Sequence, residues 1–210
     1  MGRPKEHGRE TAAQLLQAAG QILANEGPEA LTVRRLADEV GTTTRAVYSV
    51  FGGKEGLLSA MYSQMADTLV ARHSAVPKAH NAGAELFALA LAYRASALEH
   101  PNLYPLIFGK PVPGFTPRPE AVGHARAAFG RVHETIQRGI AEGQFVGRDG
   151  DTIAHGLWAL VHGLASLELS AAFVTEERAE AVWRDAVSGL VQAFMREPAP
   201  LRTSRPRRRP

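Results

Sequence analysis

The 210-residue sequence predicts an all-α protein: a three-helix N-terminal head joined to a larger helical body. Two observations carry this. Apolar residues recur at helical spacing along almost the whole chain, and no useful length alternates with a period of two, as a half-buried strand would. A third, the glycines and prolines that punctuate the first eighty residues, divides the head into short elements.

Ala12, Leu15, Leu16, Ala19, Ile22 and Leu23 form one apolar stripe of a first helix, which Gly27-Pro28 stops. Thr32 is a good N-cap for a second, short helix with Val33, Leu36, Ala37 and Val40 inward, and Gly41 ends it. A third helix follows after Thr43 and is cut off by Gly52-Gly53. Lys54 opens a fourth, carrying Leu57, Leu58, Met61, Met65 and Leu69, which runs to 76 and connects head to body. Further helices are expected at about 82–99, 102–108, 118–142, 150–173 and 177–196. Four prolines and two glycines make 109–119 a loop. The expected division is a head at 9–53, a body at 77–197 and a disordered basic tail at 198–210.

Hydrophobic residues make up 45% of the chain and charged residues 21%, enough apolar material for a real core. No stretch reaches the roughly 20 apolar residues of a membrane span, and the N-terminus has no signal-like apolar run. Cysteine is absent, which excludes disulfides and thiolate metal sites. A cytoplasmic location without cofactor or metal is expected. The net charge is +3, but five arginines fall in the last thirteen residues, and taking them away leaves the remainder at about −2. Any nucleic-acid surface on the chain outside the tail is therefore local.

The third helix supplies such a surface. At about 100° per residue, Thr44, Arg45, Tyr48 and Ser49 share one arc, while Ala46, Val47, Val50 and Phe51 share the opposite one. One side donates hydrogen bonds and the other seats on helices one and two, the partition that a recognition helix needs. Arg45 suits the O6 and N7 of guanine. Thr44 suits a base edge or a thymine methyl. Thr43, Tyr48, Ser49 and Lys54 suit phosphate oxygens, with Thr32 and Arg34 or Arg35 where the second helix crosses the backbone. Asp38 and Glu39 compete for one of these two arginines. Arg3, Lys5 and Arg9 read either as a phosphate-following arm or as a solvated terminus.

Residues 9–60 resemble the N-terminal domain of TetR-family transcriptional regulators. The resemblance lies in Gly27, Leu31-Thr32-Val33-Arg34-Arg35-Leu36-Ala37, Gly41, Val47-Tyr48, Phe51, Lys54-Glu55 and Leu57-Leu58. It implies a DNA-binding helix-turn-helix head on a ligand-binding and dimerisation body, in a homodimeric repressor released from a palindromic operator by a small-molecule effector. By position it brings Thr32, Thr43, Thr44, Arg45, Tyr48 and Lys54 to places that touch DNA. Ala46 stands where the family often has Thr, and Arg45 where it often has a small residue, so the operator is not transferable. His100-Pro101-Asn102-Leu103-Tyr104, Phe108-Gly109 and Trp158 to Gly163 resemble the body type named for a Trp-His-Gly signature.

Arg94, Tyr104, Phe108, Trp158 and His162 are the candidates for effector contact, with His155 and Glu168 as further orienting groups. The competing reading makes the aromatic residues and histidines ordinary core. His155 and His162 lie two turns apart, too far to share a metal, and no nucleophile elbow surrounds Ser166, so the chain is not expected to be an enzyme. Helices 150–173 and 177–196 carry small and apolar residues suited to a homodimer interface. The alternative is a small-molecule-binding or catalytic helical protein with a vestigial helix-turn-helix.

Overall fold

The computed structural model describes residues 4–104 and 115–197, with side chains 4–7, 121, 124, 125 and 128 left out. The described residues form eight helices and no strand: α1 (Pro4–Glu26), α2 (Val33–Val40), α3 (Thr44–Phe51), α4 (Lys54–Ala75), α5 (Ala82–Glu99), α6 (Pro119–Ala141), α7 (Gly150–Leu169) and α8 (Glu176–Phe194). Phe108, most of the short helix expected at 102–108, and the tail at 198–210 lie outside the described residues. Because α1 already begins at Pro4, Lys5 and Arg9 sit within a helix and not in an arm before it.

Local chemistry sets the ends of the short helices. The Thr32 hydroxyl accepts from the Arg35 N–H at 3.1 Å, and the Thr43 hydroxyl accepts from the Ala46 N–H at 3.2 Å. Each satisfies one of the unpaired N–H groups at a helix start. Gly41 closes α2 at φ +69, and the next N–H, that of Thr42, reaches back to the Ala37 carbonyl at 2.9 Å. A side chain at this left-handed position would strain the turn between the two helices.

In the head, Leu15, Ala19, Ile22, Leu31, Leu36 and Val47 are buried to within 2% exposure. Leu57, Leu58 and Met61 of α4 belong to the same buried cluster. Helix α4 therefore completes the head's core as well as packing on α5 and α6 in the body. Its first turn rides on the end of α3: a Cβ at Gly56 would lie 1.7 Å from the Phe51 carbonyl oxygen. Only a residue without a side chain allows this approach. The inner side of α3 is narrower than expected. Val47 is fully buried and Phe51 half-buried, whereas Val50, at the margin of the apolar arc, is 37% exposed.

The body is α4–α8, with α5 in contact with α4, α6, α7 and α8. Its joint is the Glu85 carboxylate on α5, which is buried. It accepts from the Ala79 N–H at 2.7 Å, the Thr135 hydroxyl at 2.8 Å, Arg138 at 2.7 Å and Arg131 at 2.8 Å. These donors come from the α4–α5 loop and from α6, so one charge pins three segments. Burial pushes this carboxyl up, but the four donors outweigh it and hold Glu85 below the usual carboxylate range.

Helix α7 ends at Leu169, four residues before the expected 173. The Ala172 N–H reaches back to the Leu167 carbonyl at 2.9 Å, with Ala171 at φ +56. This is the closure that glycine normally makes, so no glycine marked it in the sequence.

Candidate DNA-binding face and body cavity

With both ends of α3 clamped, Thr44, Arg45, Tyr48 and Ser49 are all exposed along one side of it. Tyr48 is 58% exposed, and its ring lies over the Gly53 backbone, where an added Cβ would meet the ring at 3.3 Å. Gly53 thus supports the tyrosine, a role that the linear spacing does not show. Thr32, Arg34 and Thr43 are exposed beside the N-termini of α2 and α3, whose free N–H groups and dipoles favour anions.

The two neighbouring arginines of α2 differ. Arg35 is held by Glu39 one turn along and by Glu26 of α1 at 3.0 Å, and these contacts raise its already high pKa. The half of the basic pair left exposed without an ion pair among the described residues is Arg34. The ammonium of Lys54 donates to the Pro28 carbonyl at 3.0 Å, which ties α4 to the α1–α2 loop with two N–H groups remaining.

The body holds a cavity of about 550 Å³ between α4, α5, α6 and α7. Leu89, Ala90, Val132, Leu157 and Val161 form its apolar wall, with Phe129 edge-on to Trp158 at 6.2 Å between ring centres. Tyr93, His73, Arg126, His133 and His155 supply its polar groups. Of the five effector candidates named from the sequence, Trp158 lines this space.

Arg94, Tyr104 and His162 make contacts of their own elsewhere in the body. The Tyr104 hydroxyl is 3.1 Å from that of Tyr93 and 2.6 Å from His162 Nδ1, with the Tyr104 and His162 rings stacked at 5.7 Å. Burial raises the pKa of both phenols and lowers that of His162, so this cluster is neutral near pH 7. Arg94 makes a two-pronged ion pair with Glu168, closest at 2.6 Å, and Glu168 also accepts from the Trp183 indole at 2.7 Å. That set braces α5 against α7 and α8. Phe108 lies outside the described residues. His73, Arg126 and His133 were not singled out from the sequence. They come from two helices about fifty residues apart, and no local pattern joins them.

On the outer side of α7 and α8, Ala159, Ser166, Leu167, Gly189 and Ala193 are exposed. Leu167 is 49% exposed, and a Cβ added at Gly163 or Gly189 would meet nothing within 4 Å. The inner stripe of α8, Ala179, Trp183, Val187, Val191 and Phe194, is buried against the body. No helix among the described residues is long and apolar enough to cross a membrane.

A capped helix-turn-helix with a polar outward arc, carried on a helical body with a partly open cavity, is the architecture of a helix-turn-helix protein with a separate C-terminal body. The comparisons name the family. Residues 15–61 match the family model "Bacterial regulatory proteins, tetR family", and residues 86–190, half of the chain, match "Tetracyclin repressor-like, C-terminal domain". The chain belongs to the TetR family, whose members are non-enzymatic regulators.

It is 29% identical over 149 residues to HTH-type transcriptional regulator Rv1816 of Mycobacterium tuberculosis, a match covering 68% of this chain and 63% of that protein. A protein of unknown function from Rhodococcus sp. RHA1 superposes with a TM-score of 0.72 at 26% identity, over 88% of this chain and 95% of its own. The TetR-family regulator PfmR of Thermus thermophilus shares the fold with a TM-score of 0.71 at 19% identity, over 89% and 96% of the two chains.

Proposed function

We propose that the chain is a homodimeric, sequence-specific DNA-binding regulator in the cytoplasm, a repressor released from a palindromic operator by a small-molecule effector. The observation that carries this is the exposed arc of Thr44, Arg45, Tyr48 and Ser49 on a helix fixed at both ends. A rigid helix can hold base contacts in register, which a frayed one cannot. Arg45 reads a base edge. Thr32, Arg34, Thr43, Tyr48 and Ser49 hold phosphates, and Arg35 and Lys54 contribute secondarily because the protein already engages them. The head at 9–53 works through connecting helix 54–76 on a body at 77–197. The cavity beside Trp158 is the effector site, and the small and apolar outer faces of α7 and α8 pair two copies. Two-fold pairing of this kind sets the recognition helices one DNA turn apart, about 34 Å, or a modest multiple of it.

Selection of the full chain against a random duplex pool tests the reading. A palindromic consensus is expected, and Arg45→Ala is expected to weaken binding to it by about 1–3 kcal/mol while relaxing preference at one base pair per half-site. A pool that yields no consensus, while the protein still retains a small molecule, favours a binding protein with a vestigial head.

A further inference from the structure

The wall of the body cavity has a charge imbalance. Among the described residues its ionisable groups are Arg126, His73, His133, His155 and the phenol of Tyr93, with no carboxylate. Three partly buried arginines of the body are matched by acids, Arg94 by Glu168, and Arg131 and Arg138 by Glu85, and Arg148 is satisfied by backbone carbonyls. Arg126, exposed at the mouth of the cavity, has neither kind of partner among the described residues and keeps its guanidinium donors available.

The layout of these groups is amphipathic. Arg126, Phe129 and His133 follow at i, i+3 and i+7 along α6, so one helix face presents a cation, a ring and an imidazole to the same space. His155 stands across from them on α7, one turn before Trp158. Arg126, His133 and His155 are exposed, whereas Leu89, Leu157 and Val161 behind them are buried. One guanidinium and two imidazoles therefore rim an apolar interior, with His155 Nδ1 already 2.7 Å from the Asp151 carbonyl oxygen. Arg126 disfavours a cation there, and a neutral apolar guest makes no use of the guanidinium. An anion with an apolar body satisfies both parts, because a charge-assisted hydrogen bond to a guanidinium is strong beside a wall of low polarity.

We propose that the effector is an apolar molecule carrying a single carboxylate. Its body rests against Leu89, Leu157, Val161 and Trp158, and its carboxylate lies on Arg126 between His133 and His155. This rests on the reading of the cavity as the effector site.

Two fluorescent probes that share one aromatic skeleton separate the two claims in the full chain. 8-Anilino-1-naphthalenesulfonate carries an anion, and N-phenyl-1-naphthylamine is the same body without it. The anionic probe is expected to bind at least about tenfold more tightly, and Arg126→Gln should bring the two within about threefold, while Arg126→Lys keeps most of the difference. Decanoate should displace the bound anionic probe at concentrations where decanol does not. Ala154→Phe, which fills the cavity from α7, should weaken both probes, with circular dichroism showing each variant folded.

Equal binding of the two probes together with equal displacement by decanol overturns the carboxylate while leaving the cavity reading intact. A preference for the anion that survives Arg126→Gln overturns the assignment to Arg126. Absence of binding by either probe, or binding untouched by Ala154→Phe, overturns the cavity reading and the inference with it.

Discussion

Replacing Glu85 with glutamine removes one charge from the joint of the body and almost nothing of its shape. The carboxylate side chain has no exposure and accepts from Ala79, Thr135, Arg131 and Arg138 at 2.7–2.8 Å. Glutamine keeps one acceptor oxygen and presents an NH2 where donors already point. Removing one partner of a buried ion pair costs about 3–5 kcal/mol, because the other charge stays behind. The side chains of Arg131 and Arg138 keep 15% and 30% of their exposure, so water compensates in part and the lower figure, about 3 kcal/mol, applies. For a chain of this length, that lowers the midpoint of thermal unfolding by about 6–12 °C. Circular dichroism at matched protein concentration reads it, since a dimer's midpoint shifts with concentration. The pH dependence supplies a second reading. A carboxyl held below its ordinary value stabilises the fold above an unfolded pKa of about 4.3, and that stability is lost as pH falls through the folded value. The gap between wild type and variant must therefore narrow in acid. A loss under 2 °C at pH 7, or a gap that widens in acid, refutes the argument.

Ala171→Gly should raise stability by about 0.5–1 kcal/mol, because φ +56 strains alanine; an unchanged or lower midpoint in the same melt counts against this. His162, whose pKa burial lowers, should destabilise the fold as pH drops below about 6.5, since the unfolded chain takes up the proton first. In His162→Asn the slope of stability between pH 7 and pH 5 should flatten, and an unaltered slope excludes the assignment. Gly189→Arg places a charge where the single chain leaves open space, so it should yield a folded monomer by sedimentation; a persisting dimer would move the interface elsewhere.

The head was legible in the sequence because its signals are local. A threonine three residues before the N–H that it accepts, a glycine at a left-handed turn and a two-faced eight-residue helix are all visible within one or two turns. The body was less so, for the opposite reason. Arg94 and Glu168 are 74 residues apart, so both read as groups available to a ligand, while the fold joins them to each other. Glu85 looks like any acid in the first turn of a helix until α6 delivers Thr135, Arg131 and Arg138 to it. Arg126 and His133 become neighbours of Trp158 only when α6 lies beside α7. Charge matching across a tertiary contact has no period, and neither does its absence.

Helix α4 joins two places that are far apart. Its first turn presses on the carbonyl end of the recognition helix at Gly56, and its last turn puts His73 on the cavity wall. Twenty-two residues make a rod of about 33 Å. A tilt of about 5° at the cavity end swings the other end by about 3 Å, close to the rise of one base step, about 3.4 Å. With no side chain at residue 56 to cushion the contact, α3 must travel with the rod. On the function proposed above, a rod of this length would carry a small tilt beside a bound effector to the recognition helix as a displacement close to one base step.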